Sequence, residues 1–167
     1  MKKNLMIVVV FVLLLALFYG CGSADDTQSK QESRNEQYSL NDTAEFDNIK
    51  LIATEIKTTK GSEYFIPASG NKFVGVRFII ENTSNRKQKI NTSLLFDSYA
   101  DDVKLDYSFE AGAAFGENTL DGDISSGKSF KGFYGVEVPQ NAGILRIEIK
   151  PERLSTSSAV YQFDIPE

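Results

Sequence analysis

The sequence predicts an all-β chain whose strands pair antiparallel and stack as two sheets, and three observations carry that prediction. Residues 72–83 alternate with a period of two, with Val74, Val76, Phe78 and Ile80 on one face and Phe73, Gly75, Arg77, Ile79 and Glu81 on the other. β-Branched and aromatic residues at that period mark a strand with one buried face. Residues 128–139 repeat the pattern, setting Phe130, Tyr134, Val136 and Val138 against Lys131, Phe133, Gly135 and Glu137. Polar, mostly short turns separate such runs after residue 48, and short turns impose antiparallel pairing because parallel strands need long crossovers.

In chain order, Lys2 and Lys3 precede a charge-free run over residues 5–19. A basic start and an apolar run of that length describe an export signal rather than a membrane span, which needs about 20 residues. Gly20-Cys21-Gly22-Ser23 follows at once. These residues resemble a bacterial lipoprotein signal, although Phe18 and Tyr19 stand where that signal usually has Leu and a small residue. The resemblance implies that Cys21 becomes the mature N-terminus and carries palmitate-like acyl chains. Each buried methylene contributes about 0.8 kcal/mol, and two or more chains hold a protein stably at a bilayer. Residues 22–48 hold seven acidic and two basic side chains with few large apolar ones. So polar a segment cannot bury enough surface to offset its ordering entropy. It reads as a tether spanning on the order of 25–30 Å, from ~5–6 Å times the square root of its length.

The domain proper is expected over residues 49–167. Residues 49–58 alternate as a first strand, with Ile49, Leu51 and Ala53 in phase. A loop over 59–70 is marked by Lys60-Gly61 and Pro67-Ala68-Ser69-Gly70. The central strand over 72–83 ends in the polar cluster 82–88. A strand over 89–98 carries Ile90, Leu94 and Phe96, and Tyr99-Ala100-Asp101-Asp102 turns it back into residues 103–109. Residues 110–127 contain four glycines and show no period. After the strong strand at 128–139, residues 144–150 place Leu145, Ile147 and Ile149 in phase, and 159–165 place Tyr161, Phe163 and Ile165 in phase. About seven strands and no amphipathic helix result. Two sheets face to face bury one-sided strands economically, which gives an immunoglobulin-like β-sandwich without the paired cysteines of antibody domains. The expected organisation is a lipoprotein signal peptide (1–20), a lipidated cysteine with an acidic tether (21–48) and the sandwich (49–167).

From Gly61 onward the chain also resembles a family of secreted bacterial lipoprotein domains of unknown function. That family is related in fold to the mycobacterial immunoprotective extracellular antigen, an immunoglobulin-like sandwich. The likeness rests on the run from Gly70 through Lys72 and Asn82 to Ser84, on Ser126-Gly127-Lys128 with Val136-Glu137-Val138-Pro139, and on the hairpin from Phe96 to Tyr107. At that hairpin the family often ends an acidic turn in glycine, whereas this chain has Ala100-Asp101-Asp102. The resemblance implies a fold and an extracytoplasmic location. It supplies no catalytic residue.

Composition removes several chemistries. The chain has no histidine and one cysteine, so it holds no Ser-His-Asp or Cys-His nucleophile, no His-ligated zinc and no internal disulfide. A net charge of −5 argues against nucleic acid, whose phosphates call for clustered Lys and Arg. No cofactor and no enzymatic activity are expected. Asp97, Asp101, Asp102 and Asp106 crowd one hairpin and form a candidate calcium site, since calcium takes several hard oxygens; aspartate is equally a turn residue. Tyr64, Phe65 and Phe115 are aromatic residues in loops and form a candidate binding patch; the competing expectation is that they fold back over the sandwich. Asp121 and Asp123 supply the carboxylate pair of an alternative reading, a hydrolase of envelope glycans or peptides. A further alternative is an accessory subunit of a membrane complex. The favoured expectation is an extracytoplasmic lipoprotein, held at the cell membrane through Cys21, that presents a binding domain to an envelope protein, a wall polymer or a small ligand.

Overall fold

Val74, Val76, Phe78 and Ile80 are each at most 2% exposed, so the period-two face of residues 72–83 is the core face. The computed structural model describes residues 35–46, 48–116, 118, 120–150 and 158–167. The expected signal peptide, Cys21 and residues 22–34 lie outside the described residues.

Eleven strands occur among the described residues: β1 (Asn35–Tyr38), β2 (Thr43–Phe46), β3 (Ile49–Thr59), β4 (Asn71–Asn82), β5 (Gln88–Ile90), β6 (Phe96–Ala100), β7 (Val103–Leu105), β8 (Gly122–Ile124), β9 (Ser129–Pro139), β10 (Ile144–Ile149) and β11 (Ser158–Asp164). Two helical turns join them, α1 (Thr92–Leu95) and α2 (Phe109–Ala113). One sheet has the order β1-β11-β10-β6-β7 and the other β2-β3-β4-β9, while β5 and β8 form a separate ribbon. The antiparallel β-sandwich predicted from the pattern is therefore the fold, and β4 sits between β3 and β9 as a central strand.

Four local expectations are corrected. Strand structure starts at Asn35, inside the stretch read as tether, because β1 pairs with β11 and β2 with β3. Tyr38 and Ala44 supply the apolar surface for this, Tyr38 stacking on Tyr161 at 5.3 Å and Ala44 being 1% exposed. The β1–β11 pair is parallel, the exception to the antiparallel rule. The strand expected over 89–98 is broken into β5, α1 and β6. The irregular stretch 110–127 contains most of α2 and all of β8.

The core closes around Tyr161, whose hydroxyl donates to the Leu51 carbonyl at 2.9 Å and to the Asp42 carbonyl at 3.1 Å. Its ring meets Phe78 edge-on at 5.5 Å, and Phe78 meets Phe96 likewise at 5.6 Å. Strand β9 is buried on both faces, Phe133 being 3% and Tyr134 4% exposed. Tyr134 points inward to Ser98, with hydroxyls 2.8 Å apart. Phe133 points outward and lies beneath Phe115, the rings stacked at 5.0 Å. The outward cover is possible because Gly75 and Gly135 are cross-strand partners. A Cβ at Gly135 would stand 2.3 Å from the Ala111 and Gly112 backbone, and one at Gly75 would stand 2.5 Å from the Phe115 ring.

Candidate functional site

Lys72 has the parity of Val74 and Ile80 and is the last inward position at the start of β4, only 9% exposed. Strand β4 starts here because Pro67-Ala68-Ser69-Gly70 turns the chain: the Asn71 amide donates to the Ala68 carbonyl at 2.9 Å, with Gly70 at φ +87°. Glu137 fixes that turn, accepting from the Ala68 amide at 2.9 Å and the Asn71 side-chain amide at 2.7 Å. The turn after β9 is tied to the same corner, the Gln140 amide donating to the Gly70 carbonyl at 2.8 Å. The Ile165 amide donates to the Gly143 carbonyl at 2.8 Å, bringing the end of the other sheet alongside.

Between these ends lies an open cleft of about 650 Å³, lined by Thr58, Lys60, Lys72, Asn141, Ile165 and Glu167 among others. Ligand sites are commonly clefts of roughly 300–1,000 Å³ with a few placed polar groups. Among the described residues the Lys72 ammonium makes one hydrogen bond, 3.5 Å to the Pro166 carbonyl, and no ion pair. Lys50, Lys87 and Lys104, by contrast, meet carboxylates at 2.9, 2.7 and 2.7 Å. The sequence carried a readable signal for Lys72 in its parity. Nothing local announced the cleft, which is assembled from five strand ends far apart in the chain.

The candidate calcium residues are not gathered. Asp97 accepts from Lys104 at 2.7 Å and Lys150 at 3.2 Å, and the Lys104 hydrogen bond in particular holds its carboxyl below the usual range. Asp101 accepts instead from the Gly143 and Ile144 amides, at 3.2 and 2.9 Å. Asp101 and Asp102 take left-handed backbone angles, φ 45° and 68°, making the two-residue loop between Ala100 and Val103. Such hairpins need φ > 0 at both central positions, for which Asp substitutes for Gly. Asp102 and Asp106 are exposed. Among the described residues no three Asp or Glu side chains stand close enough to hold a metal ion. The acidic hairpin is a turn.

Asp121 and Asp123 are likewise engaged. Asp121 accepts from the Thr92 amide at 2.7 Å, at the start of α1, and Asp123 pairs with Lys87 at 2.7 Å. Of the loop aromatics, Tyr64 is 81% exposed. Phe65 meets Phe109 edge-on at 6.4 Å, and Phe115 covers Phe133, with the Lys57 ammonium 4.5 Å from the Phe133 ring centre. Phe65 and Phe115 are thus half-buried parts of the outer cover, and Tyr64 alone of the three stands mainly in solvent. Cys21 lies outside the described residues. Among the described residues no helix is long and apolar enough to cross a membrane.

Comparison with known proteins places this geometry. A family model, the domain of unknown function DUF4352, matches residues 38–160. No curated protein matches the chain. Among solved structures, ycdA of Bacillus subtilis, named as a candidate lipoprotein, is 18% identical with a TM-score of 0.61 over 76% of this chain and 39% of its own. This chain therefore spans well under half of ycdA. An uncharacterised β-sandwich protein of Clostridium difficile is 13% identical, with a TM-score of 0.54 over 81% of this chain and 98% of its own. The secreted protein MPT63 of Mycobacterium tuberculosis is 10% identical, with a TM-score of 0.52 over 78% and 99%. At these identities the likeness is one of fold.

Proposed function

The chain belongs to the DUF4352 family, and from that premise we propose that it is an extracytoplasmic lipoprotein presenting a binding domain. The single observation that carries the binding role is the cleft of about 650 Å³ at the sandwich end, into which a buried lysine is built. The carboxylates that a hydrolase would use are occupied by backbone amides, hydroxyls and lysines of the fold. The cleft's contents are suited to recognition: hydroxyls, amides and ammonium groups beside the apolar Ala142 and Ile165. The lipoprotein part of the reading is supported by the Lys2-Lys3 start, the apolar run and Cys21, and by the name of ycdA. Anchoring through acyl chains on Cys21 would hold the domain close to the bilayer, since residues 22–34 alone separate it from β1 and extend at most about 45 Å at ~3.4 Å per residue.

Two measurements test the two parts. Radiolabelled palmitate fed to the producing bacterium should enter the protein, and Cys21→Ser should abolish labelling and release the protein from the membrane fraction. Label retained in the Cys21→Ser variant would overturn the anchor. For the binding role, envelope-derived sugars, peptides and organic acids are screened by thermal shift. At least one should raise the melting temperature, and Asn141→Trp, crowding the rim, should remove the effect. A panel without any shift would overturn it.

A further inference from the structure

We propose that the end cleft takes a small organic anion, its carboxylate or phosphate group meeting the Lys72 ammonium and its apolar body lying on Ala142 and Ile165. The inference rests on the binding-domain reading and names the class of ligand.

A lysine in phase with four core residues is costly. An ammonium withdrawn from water needs either a carboxylate or several acceptors. Lys72 is 9% exposed as a whole residue, and among the described residues its ammonium meets one carbonyl, that of Pro166 at 3.5 Å. The carboxylate lining the cleft, that of Glu167, makes no ion pair with it, although ion pairs at 2.7–2.9 Å are made elsewhere on the surface. Lys72 lines the open cleft, and two of the three donors of its ammonium make no hydrogen bond among the described residues. Around them the cleft adds a second ammonium, Lys60, and the donor-bearing side chains of Gln140, Asn141 and Thr58. The lining thus brings the ammonium groups of Lys60 and Lys72 together beside Glu167. An entering anion would complete the coordination of Lys72 in a partly dehydrated corner, where a charge pair is stronger than in bulk water. Ala142 and Ile165 also line the cleft and give an anion with an apolar portion a contact that a bare inorganic ion lacks.

The test uses the full chain in detergent solution, with butyrate, butyl phosphate and butanol as probes read by calorimetry and by melting temperature. Butyrate or butyl phosphate should bind saturably and raise the melting temperature, with butanol at least tenfold weaker. Lys72→Met keeps an unbranched side chain, one atom shorter, and removes the charge. It should weaken anion binding at least tenfold while raising the ligand-free melting temperature, because a site kept for a ligand costs the empty fold stability. Lys131→Gln, an exposed β9 position, should bind as the parent does. Which of the two anions binds more tightly distinguishes a carboxylate from a phosphate ligand. Equal anion affinity in the parent and Lys72→Met overturns the inference, as does a lower melting temperature in Lys72→Met with anion binding intact. Failure of both anions alongside a positive envelope panel would sink the anion and leave the binding domain standing. Failure of both the anions and the panel would sink the two together.

Discussion

Tyr134 shows what a single buried hydroxyl does for this fold. Its phenol sits between the sheets against Ser98 at 2.8 Å, and burial pushes its pKa up to about 12. Burial also raises Tyr161, which donates to two backbone carbonyls. The folded value lies above the unfolded value of 10, so well below pH 10 both states hold the proton and stability is independent of these groups. Between pH 10 and 12 the unfolded chain ionises first, and stability falls as pH rises by about 1.4 kcal/mol per pH unit for each such tyrosine. Urea midpoints should therefore fall slightly from pH 8 to pH 10, where the unfolded tyrosines are half ionised, and more steeply from pH 10 to pH 11. Tyr134→Phe should lose stability at pH 8 by about 1–3 kcal/mol, the cost of a Ser98 hydroxyl left without its partner, and should decline less steeply above pH 10. Equal slopes for the two proteins would refute the account.

At the scale of elements, the pair Gly75 and Gly135 decides whether α2 can lie on the outer face of the sheet. The two positions are not equivalent. A methyl at Gly135 meets the backbone of Ala111 and Gly112, whereas a methyl at Gly75 meets only the ring of Phe115. A ring can rotate away and a backbone cannot, so Gly135→Ala should cost about 1–3 kcal/mol by overpacking and Gly75→Ala less. Chemical denaturation of the two variants checks the order, and a larger loss at Gly75 would reverse the argument. The same face shows why the sequence was readable in some places and silent in others. Strands β4, β9, β10 and β11 were legible because each has a face in the core and so alternates. The segment from Ser108 to Gly116 was not, because its partner is a groove made by two glycines rather than a hydrophobic stripe of its own. Asp101 and Asp102 looked like metal ligands because aspartate serves both chemistries, and only the backbone angles separate them. Lys72 shares the parity of Val74 and went unread in the sequence, because its meaning appears only when the strand ends surrounding it are brought together.

At the scale of the molecule, the question is where the domain begins. Composition places its start at Ile49, since the preceding residues are acidic and poor in apolar side chains. Packing moves the start to Asn35, because few side chains there do much: Tyr38 stacks on Tyr161 at 5.3 Å, Ala44 enters the core, and the Asp42 carbonyl accepts from Tyr161 at 3.1 Å. Strands β1 and β2 also occupy one edge of each sheet, and without them β11 and β3 would present open backbone to other chains. A chain starting at Ile49 should thus be less stable than one starting at Glu32 by more than about 1 kcal/mol, from ~0.5–1.5 for the ring pair and ~0.5–1.5 for the hydrogen bond. It should also self-associate at concentrations where the longer chain is monomeric. Denaturation midpoints and sedimentation of the two chains measure both effects. Tyr38→Ala in the longer chain separates them, since it removes the ring contact and leaves both edges covered: it should lower the midpoint without inducing association. Equal midpoints for the two chains would return the boundary to Ile49 and make β1 and β2 ornaments of a core that closes without them.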